Sequence, residues 1–481
     1  MNKKYLFLFL LTALFPLLIS AQSRFNFKNG KFVVAQFTDL HWMPNSEKCA
    51  ETAATIRAVL AAEHPDLAVL SGDVVTYDPA MEGWKKIVSI FEEAKIPFVV
   101  TMGNHDAEYL TKDEMYDFLL KSSYYAGAKG PKEIMGCGNC IIPLYGSTAK
   151  NKVEALLYCI DSNDYQPNKI YGAYDWIHFN QVAWYRQQSE KFTEGNDGKP
   201  LPALAFFHIA LPEYKEIIGD GKTYGTDKEG IAGSNINSGM FASFIEAQDV
   251  MGVFVGHDHD NDFIGINKNI ALGFGRVTGA DAYGTLKRGA RIIELYEGKR
   301  KFDTWITTPA GREATYYYPS GLNSEEELNM TYEPALKTSA KKQGVAYTYY
   351  EGKCKRVADI ASCTKVKEGT MKNISIKEAP IADHFAYDFC TLVNIPAKGV
   401  YRFYTFSDDG SMLYIDGKLV VDNDGGHSGR RAEGKIALEK GLHELHLLYF
   451  EDYMGQELEV GFSGRDILDT PLTDEMLFLP K

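Results

Sequence analysis

The chain has 481 residues, 45% of them hydrophobic and 24% charged, and 51 lysines and arginines against 64 acids give a formal net charge of −13. That length suits two or three packed domains, and the composition is that of a globular protein with ample material for cores. An acidic surface repels phosphate polyanions, which disfavours nucleic acid as a partner.

Residues 1–21 read as a signal peptide. Lys3 and Lys4 give a positive start, residues 5–19 form an apolar run, and Ser20-Ala21 offers a small-residue cleavage point before Gln22. The run is short for a membrane span, and no other stretch is longer and as apolar. The expectation is a periplasmic or secreted protein that is not integral to a membrane. Removing the leader takes two lysines and no acid, so the mature chain is more acidic still.

From residue 31 onward short apolar runs alternate with amphipathic helical patterns. The runs fall at 31–37, 67–70, 97–101, 156–160, 204–207 and 253–255, each continuously apolar in the manner of strands buried on both faces. Between them, Ala53, Ile56 and Leu60 make one helical stripe. Trp84, Ile87, Val88 and Phe91 make another, which Pro97 follows. This alternation predicts an α/β layered domain over 22–312, with the runs at 290–295 and 302–306 completing a second sheet. Residues 313–340, with Pro319, Pro334 and the acid run 325–327, read as a linker. From 341 to 481 the pattern is all-β. Strand-like runs there are separated by turn signals such as Asp408-Asp409-Gly410 and Asp416-Gly417, which predicts a β-sandwich.

The strongest polar clusters each follow an apolar run directly: Thr38-Asp39-Leu40-His41, Ser71-Gly72-Asp73, Gly103-Asn104-His105-Asp106, His208, and Gly256-His257-Asp258-His259. Ligands of open α/β sheets bind beyond the carboxyl ends of strands, so these five segments can meet in one crevice. Seven histidines lie between residues 22 and 310, and only His64 and His178 stand outside these strand ends. A lone histidine is better explained by packing; five sorted in this way, with two aspartates and an asparagine, point to metal. Imidazole and carboxylate without thiolate suit zinc, manganese or iron, and eight candidate ligands exceed one tetrahedral site. Two ions sharing a bridge would clamp both oxygens of a displacement at phosphorus and lower the pKa of bound water.

In this order the motifs resemble the calcineurin-like metallophosphoesterase superfamily, over about residues 30–310. The resemblance implies a two-sheet αββα sandwich and two divalent or trivalent transition-metal ions. It implies Asp39, His41 and His259 on one ion, Asn104, His208 and His257 on the other, and Asp73 bridging them. His105 would protonate the leaving oxygen or steady the phosphoryl group, with Asn104 also on the substrate side. Asp106 would orient His105, and a metal-bound hydroxide would attack. Position 76 is threonine and Tyr77 is one residue late, so the tyrosinate site of purple acid phosphatases is not indicated. The Ser71-Gly72-Asp73, Phe207-His208 and 256–262 contexts look closer to the Dcr2-type phosphatase branch. Arg276, in Gly273-Phe274-Gly275-Arg276, is a candidate for the substrate phosphate, with an ordinary structural arginine equally weighted.

Residues 344–465 resemble a PA14 domain through segments 345–352, 401–410 and 413–417. In some members an aspartate pair binds calcium and a sugar, and Asp408-Asp409 stands at that position, although Asp-Asp-Gly is also a plain turn signal. His427, His443 and His446 read as incidental. Of the seven cysteines, Cys137 and Cys140 are placed to close a local disulfide or to bind metal, with free thiols as the alternative, and Cys354 with Cys363 is a second disulfide candidate. The reading is an exported phosphohydrolase acting on a phosphorylated small molecule or glycoconjugate, with carbohydrate a candidate partner. The alternatives are a phosphodiesterase for a cyclic nucleotide, phospholipid or glycan diester, and a glycan-binding surface protein with vestigial activity.

Overall fold

The computed structural model describes residues 24–219, 223–338 and 342–480. The expected signal peptide at 1–21 lies outside them. The chain opens with β1 (Phe25–Asn26), β2 (Lys31–Phe37), α1 (Cys49–Glu63), β3 (Leu67–Ser71), α2 (Ala80–Ala94), β4 (Phe98–Thr101) and α3 (Lys112–Leu119). It continues with β5 (Cys140–Tyr145), β6 (Val153–Cys159), α4 (Phe179–Glu194), β7 (Ala203–Phe206), β8 (Thr223–Tyr224), α5 (Met240–Ala247) and β9 (Val250–Val255). β10 (Ile264–Asn267), β11 (Ile270–Phe274), β12 (Ala290–Tyr296), β13 (Phe302–Thr308), β14 (Gly311–Tyr318) and β15 (Leu322–Asn323) follow.

These strands form two sheets, of order β1-β5-β6-β7-β9-β11-β10-β8 and β15-β14-β13-β12-β2-β3-β4. Within them β2, β3 and β4 run parallel, as do β6, β7, β9 and β11. The sheets stack face to face. Phe32, Val34, Leu67 and Val69 from one meet Leu157, Leu204, Phe206 and Phe254 from the other in a single apolar layer. The opposite face of β2 and β3, with Ala35, Phe37 and Leu70, packs on α1, α2 and α3. Tyr158, Ala205 and Val253 pack on α4 and α5. Burial on both faces explains why the strands read as continuous apolar runs, and the architecture is the expected αββα sandwich.

Much of the linker expected at 313–340 is regular structure, through Asn329. β14 pairs antiparallel with β13 and β15 with β14, extending the second sheet, and α6 (Ser324–Asn329) follows under an Asn323 capping box. The run has no apolar strand pattern because β14 buries only one face, and does so with tyrosines: Tyr316 and Tyr318 are nearly inaccessible while Arg312 and Glu313 are exposed.

The remaining chain is all-β. It comprises β16 (Val345–Glu351), β17 (Thr364–Met371), β18 (Phe385–Ile395), β19 (Gly399–Asp408), β20 (Ser411–Ile415) and β21 (Lys418–Asn423). After these come β22 (Arg430–Leu438), β23 (Gly441–Glu451), β24 (Glu457–Gly464), β25 (Ile467–Pro471) and β26 (Leu477–Phe478). Two sheets, β17-β16-β18-β23-β20-β21 and β22-β19-β24-β25, enclose a core that includes Phe389, Leu413, Leu447 and Phe462. Lys435–Glu326 at 2.5 Å and Lys301–Asp466 at 2.6 Å tie this sandwich to the first two sheets.

All seven cysteines are free thiols, and of the two expected pairings only Cys354 with Cys363 brings its sulfurs together. Cys140 lies directly opposite Cys159 across β5 and β6, and its side chain meets Cys159 rather than Cys137. Cys137 sits in the loop before β5, where its N–H donates to Asp161 Oδ2 at 2.8 Å. Cys354 Sγ and Cys363 Sγ are 3.2 Å apart.

Candidate metal centre

Asp39 and His41 follow β2, Asp73 follows β3, Asn104 and His105 follow β4, His208 follows β7, and His257 and His259 follow β9. Backbone hydrogen bonds lace these loops together. Asp39 N–H donates to Gly72 O at 3.1 Å, His41 N–H to Asp73 O at 2.9 Å, and Gly256 N–H to His208 O at 3.0 Å. Asp39, His41, Asp73 and His257 all adopt positive φ, between 40° and 81°. Non-glycine residues seldom hold this conformation unless the surroundings over-determine it, and they cluster at functional sites. The motif glycines make room for the side chains. A Cβ on Gly72, itself at φ +95°, would lie 2.3 Å from His208 Nδ1, and one on Gly103 would lie 2.3 Å from Asp73 Oδ1.

Two groups of donors result. One atom each from Asp39, His41 and His259 lie within 4.8 Å of one another, and the same holds for Asp73, His208 and His257. Asp73 Oδ2 stands between the groups, 3.6 Å from His41 Nε2 and 3.2 Å from His208 Nε2. Asp39 Oδ1 is 3.3 Å from His259 Nε2, and His41 Nε2 is 3.1 Å from His259 Nε2. His208 is oriented from behind, its Nδ1 donating to Ser71 O at 2.8 Å. Buried polar atoms are normally partnered, yet both Asn104 side-chain atoms and His257 Nε2 have no hydrogen-bond partner here.

The electrostatics also call for cations. Burial works against the Asp39 carboxylate, but His259 and His208 hold its pKa down at about 2. Burial likewise works against the Asp73 carboxylate, and the imidazoles of His208 and His41 carry it well below the ordinary range. Burial pushes His41 down to about 4 and, with His208, His257 to about 3, so both imidazoles present neutral nitrogens suited to a metal. His208 loses by burial but gains more from Asp73, rising to about 10, which makes a proton on it the local counter-charge. An all nitrogen-and-oxygen donor set with unpartnered atoms facing inward fits two borderline transition-metal ions.

His105 sits beside this cluster, its ring centroid 5.6 Å from that of His41. The expectation that Asp106 orients it is wrong. Asp106 is buried with its back to His105: Oδ1 accepts the N–H groups of Val74 at 2.8 Å and Val75 at 3.1 Å, and Oδ2 accepts that of Gly103 at 2.8 Å. It ties the loop after β3 to the loop after β4. His105 Nδ1 is held instead by Glu108 Oε1 at 2.7 Å, and Nε2 faces the Tyr165 hydroxyl at 3.1 Å. Arg276 is likewise not a phosphate ligand. Only 4% exposed, it pairs with Asp262 through Nε at 2.8 Å and with Glu313 at 2.8 Å, and it donates to Lys287 O.

A family model for calcineurin-like phosphoesterases matches residues 32–261, and a PA14 domain model matches 341–469. A probable inactive purple acid phosphatase 29 of Arabidopsis thaliana is 33% identical over 310 residues, covering 58% of this chain and 80% of that protein. The chain belongs to the calcineurin-like phosphoesterase family. Phosphatase DCR2 of Saccharomyces cerevisiae is 29% identical over 342 residues, 62% of this chain and 58% of that one. Among solved structures, a dimetal phosphatase from Danio rerio aligns with 60% of this chain and 98% of its own, at 10% identity and a TM-score of 0.42. In the C-terminal PA14 domain the expected pair Asp408 and Asp409 is joined by Glu451, which the sequence did not single out. One donor atom from each of Asp408, Asp409 and Glu451 lie within 4.8 Å of one another.

Sequence reasoning missed the residues that frame the centre. Tyr283 stacks on His259 with centroids 3.9 Å apart, Tyr174 meets His257 edge-on at 4.6 Å, and Tyr165 stacks on Tyr174 at 5.7 Å. These tyrosines come from loops with no periodic or motif signal. Glu108 could have been found: it lies three residues after His105, on the 3-10 turn Asp106–Glu108.

Proposed function

We propose that this chain is an exported two-metal phosphohydrolase that cleaves a phosphoester of a small molecule or glycoconjugate. The observation that supports it best is the convergence of two three-donor groups on Asp73. Asp39, His41 and His259 would hold one ion and Asn104, His208 and His257 the other, with Asp73 between them. When bound, manganese, iron or zinc would supply positive charge to the phosphoryl oxygens and an activated water at neutral pH. With its Nδ1–H donated to Glu108, His105 stands beside the donor groups with its ring near His41, where in protonated form its Nε2 would deliver a proton to the departing oxygen. Tyr165 holds that nitrogen in place through its hydroxyl. Tyr283 and Tyr174 pack on His259 and His257 and restrict water around them.

The test is hydrolysis of aryl phosphate monoesters and bis-aryl diesters by the full chain with Mn²⁺, Fe²⁺ or Zn²⁺, before and after chelation. The expected result is metal-dependent turnover, and the ratio of the two rates separates monoesterase from diesterase. Absence of turnover with tightly bound metal would favour a binding protein, the reading suggested by relatives whose names call them inactive. The intact contacts of His105 argue for turnover. Export would appear as a mature chain beginning at Gln22 in the periplasmic or medium fraction.

In the PA14 domain Asp408, Asp409 and Glu451 would bind calcium and, through it, a sugar. Burial and Asp409 push the Glu451 carboxyl up to about 8, and its Oε1 is buried without a partner, so three acids crowd a spot that a hard cation would relieve. Calcium titration of the full chain, followed by calorimetry with glycans, tests this.

A further inference from the structure

The C-terminal sandwich carries a second cluster of donors, away from its acid trio. On the outer face of its larger sheet, Cys390 of β18 lies directly opposite His446 of β23. Asp388 precedes Cys390 by two residues and therefore shares its face. Their neighbours Phe389 and Leu447 point the other way, into the core. His446 Nε2 is 2.8 Å from Asp388 Oδ1, and Cys390 Sγ is 3.6 Å from the same oxygen. One donor atom from each of the three lie within 4.8 Å of one another. Tyr414, opposite His446 on β20, stacks on the imidazole at 5.7 Å. Glu444, two residues before His446, adds a further negative charge felt by both Cys390 and His446.

A histidine–aspartate ion pair would need only two of these residues. The thiol converging on the same carboxylate oxygen is what an ion pair leaves unexplained. We propose that Asp388, Cys390 and His446 form a third metal site, for a borderline transition ion such as zinc. A thiolate, an imidazole and a carboxylate select zinc, cobalt or copper over calcium and magnesium. This sets the site apart from the all-oxygen trio of Asp408, Asp409 and Glu451 and from the thiolate-free centre around Asp73. The Asp388 and His446 side chains are 30% and 34% exposed, so an ion can enter and keep a fourth position open to water. On binding, a sulfur–metal bond forms as the Cys390 thiol proton passes to solvent.

Cobalt reports the site directly, because the centre around Asp73 offers no sulfur. Added to the full chain, Co²⁺ is expected to give a thiolate-to-cobalt charge-transfer band in the near ultraviolet. Cys390→Ser and His446→Ala are each expected to abolish the band while phosphatase activity persists. Absence of the band, or its survival in Cys390→Ser, would overturn the proposal. The unsubstituted protein gives an independent reading. Zinc is expected to slow alkylation of Cys390 by iodoacetamide about tenfold, followed on the peptide that contains it, because a metal-held thiolate is no longer a free nucleophile. An unchanged rate at that cysteine would equally sink the assignment.

Discussion

Asp106 and Glu108 both follow His105 closely, and the geometry gives them opposite jobs that substitution can separate. In Asp106→Asn the side chain keeps one acceptor oxygen. If it takes the place of Oδ1, the bonds from Val74 and Val75 survive, but the amide NH₂ then faces the Gly103 N–H, donor against donor. Losing a hydrogen bond to a charged acceptor and stranding a buried N–H costs about 2–4 kcal/mol. Part of that returns, because burial together with Asp73 already strains the Asp106 carboxylate, pushing its pKa up to about 7. The net expectation is about 2 kcal/mol of destabilisation. Freed from Gly103, the loop that carries Asn104 shifts, and metal affinity falls by about tenfold to a hundredfold, as for other groups that orient ligands. Glu108 is 40% exposed, so Glu108→Gln should alter stability by no more than about 0.5 kcal/mol. It should instead slow turnover about tenfold or more, and most for esters with poor leaving groups, which depend on the proton from His105. Urea unfolding, metal titration and a leaving-group series on the two variants provide the assay. If Asp106→Asn changed the leaving-group dependence at unaltered stability, while Glu108→Gln did nothing, the assignment of the two carboxylates would be refuted.

Gly72→Ala places a methyl group on His208 at a φ that alanine resists; loss of bound metal, read by elemental analysis, is expected, and full occupancy would contradict the packing described. Tyr165→Phe removes the hydroxyl from His105 Nε2 and should lower kcat about threefold to tenfold with little change in KM, read from steady-state kinetics. Glu63→Ala strips the shared acceptor of Trp305 Nε1, Thr307 Oγ1 and Arg312; a destabilisation of about 3 kcal/mol is expected in urea unfolding. His443 is enclosed, with Nδ1 2.6 Å from Asp416 Oδ2 and Nε2 2.8 Å from Glu439 O. Burial lowers its pKa, but the Asp416 hydrogen bond and the Glu439 carbonyl raise it further, so the net shift is upward. A raised value means stability present below the ordinary histidine pKa of about 6.5 and lost as pH climbs through the folded value. The unfolding midpoints of wild type and His443→Gln should therefore differ more at pH 6 than at pH 9.

The candidate ligands around Asp73 were legible because strand ends announce themselves. A run buried on both faces must be apolar throughout, so a histidine or aspartate just beyond it stands out, and parallel strands deliver such ends to one edge of the fold. The same rule explains the misreading of residues 313–340. β14 sits near a sheet edge, buries alternate tyrosines and leaves Arg312 and Glu313 in water, so its pattern resembles a loop. Arg276 misled for a related reason. An arginine after a glycine-rich strand end looks free to reach a ligand, but Asp262 and Glu313, which neutralise it, come from segments 14 and 37 residues further off in either direction of the chain.

Contact with a ligand and support of a ligand leave different traces, and only the first is local. Asp39, His41 and His257 keep left-handed backbones because loops from two different sheets fix them; no propensity of aspartate or histidine would indicate it. The positive φ at Asp73 is paired with an N–H from His105 to its Oδ1 at 2.9 Å, so the residue proposed to bridge the ions also positions the residue proposed as the acid. A change at Asp73 thus cannot alter the metals alone. It must also displace His105, and with it the contacts of Nδ1 to Glu108 and of Nε2 to Tyr165. The strained backbone at Asp73 thus accompanies a carboxylate that joins both donor groups and holds the His105 N–H.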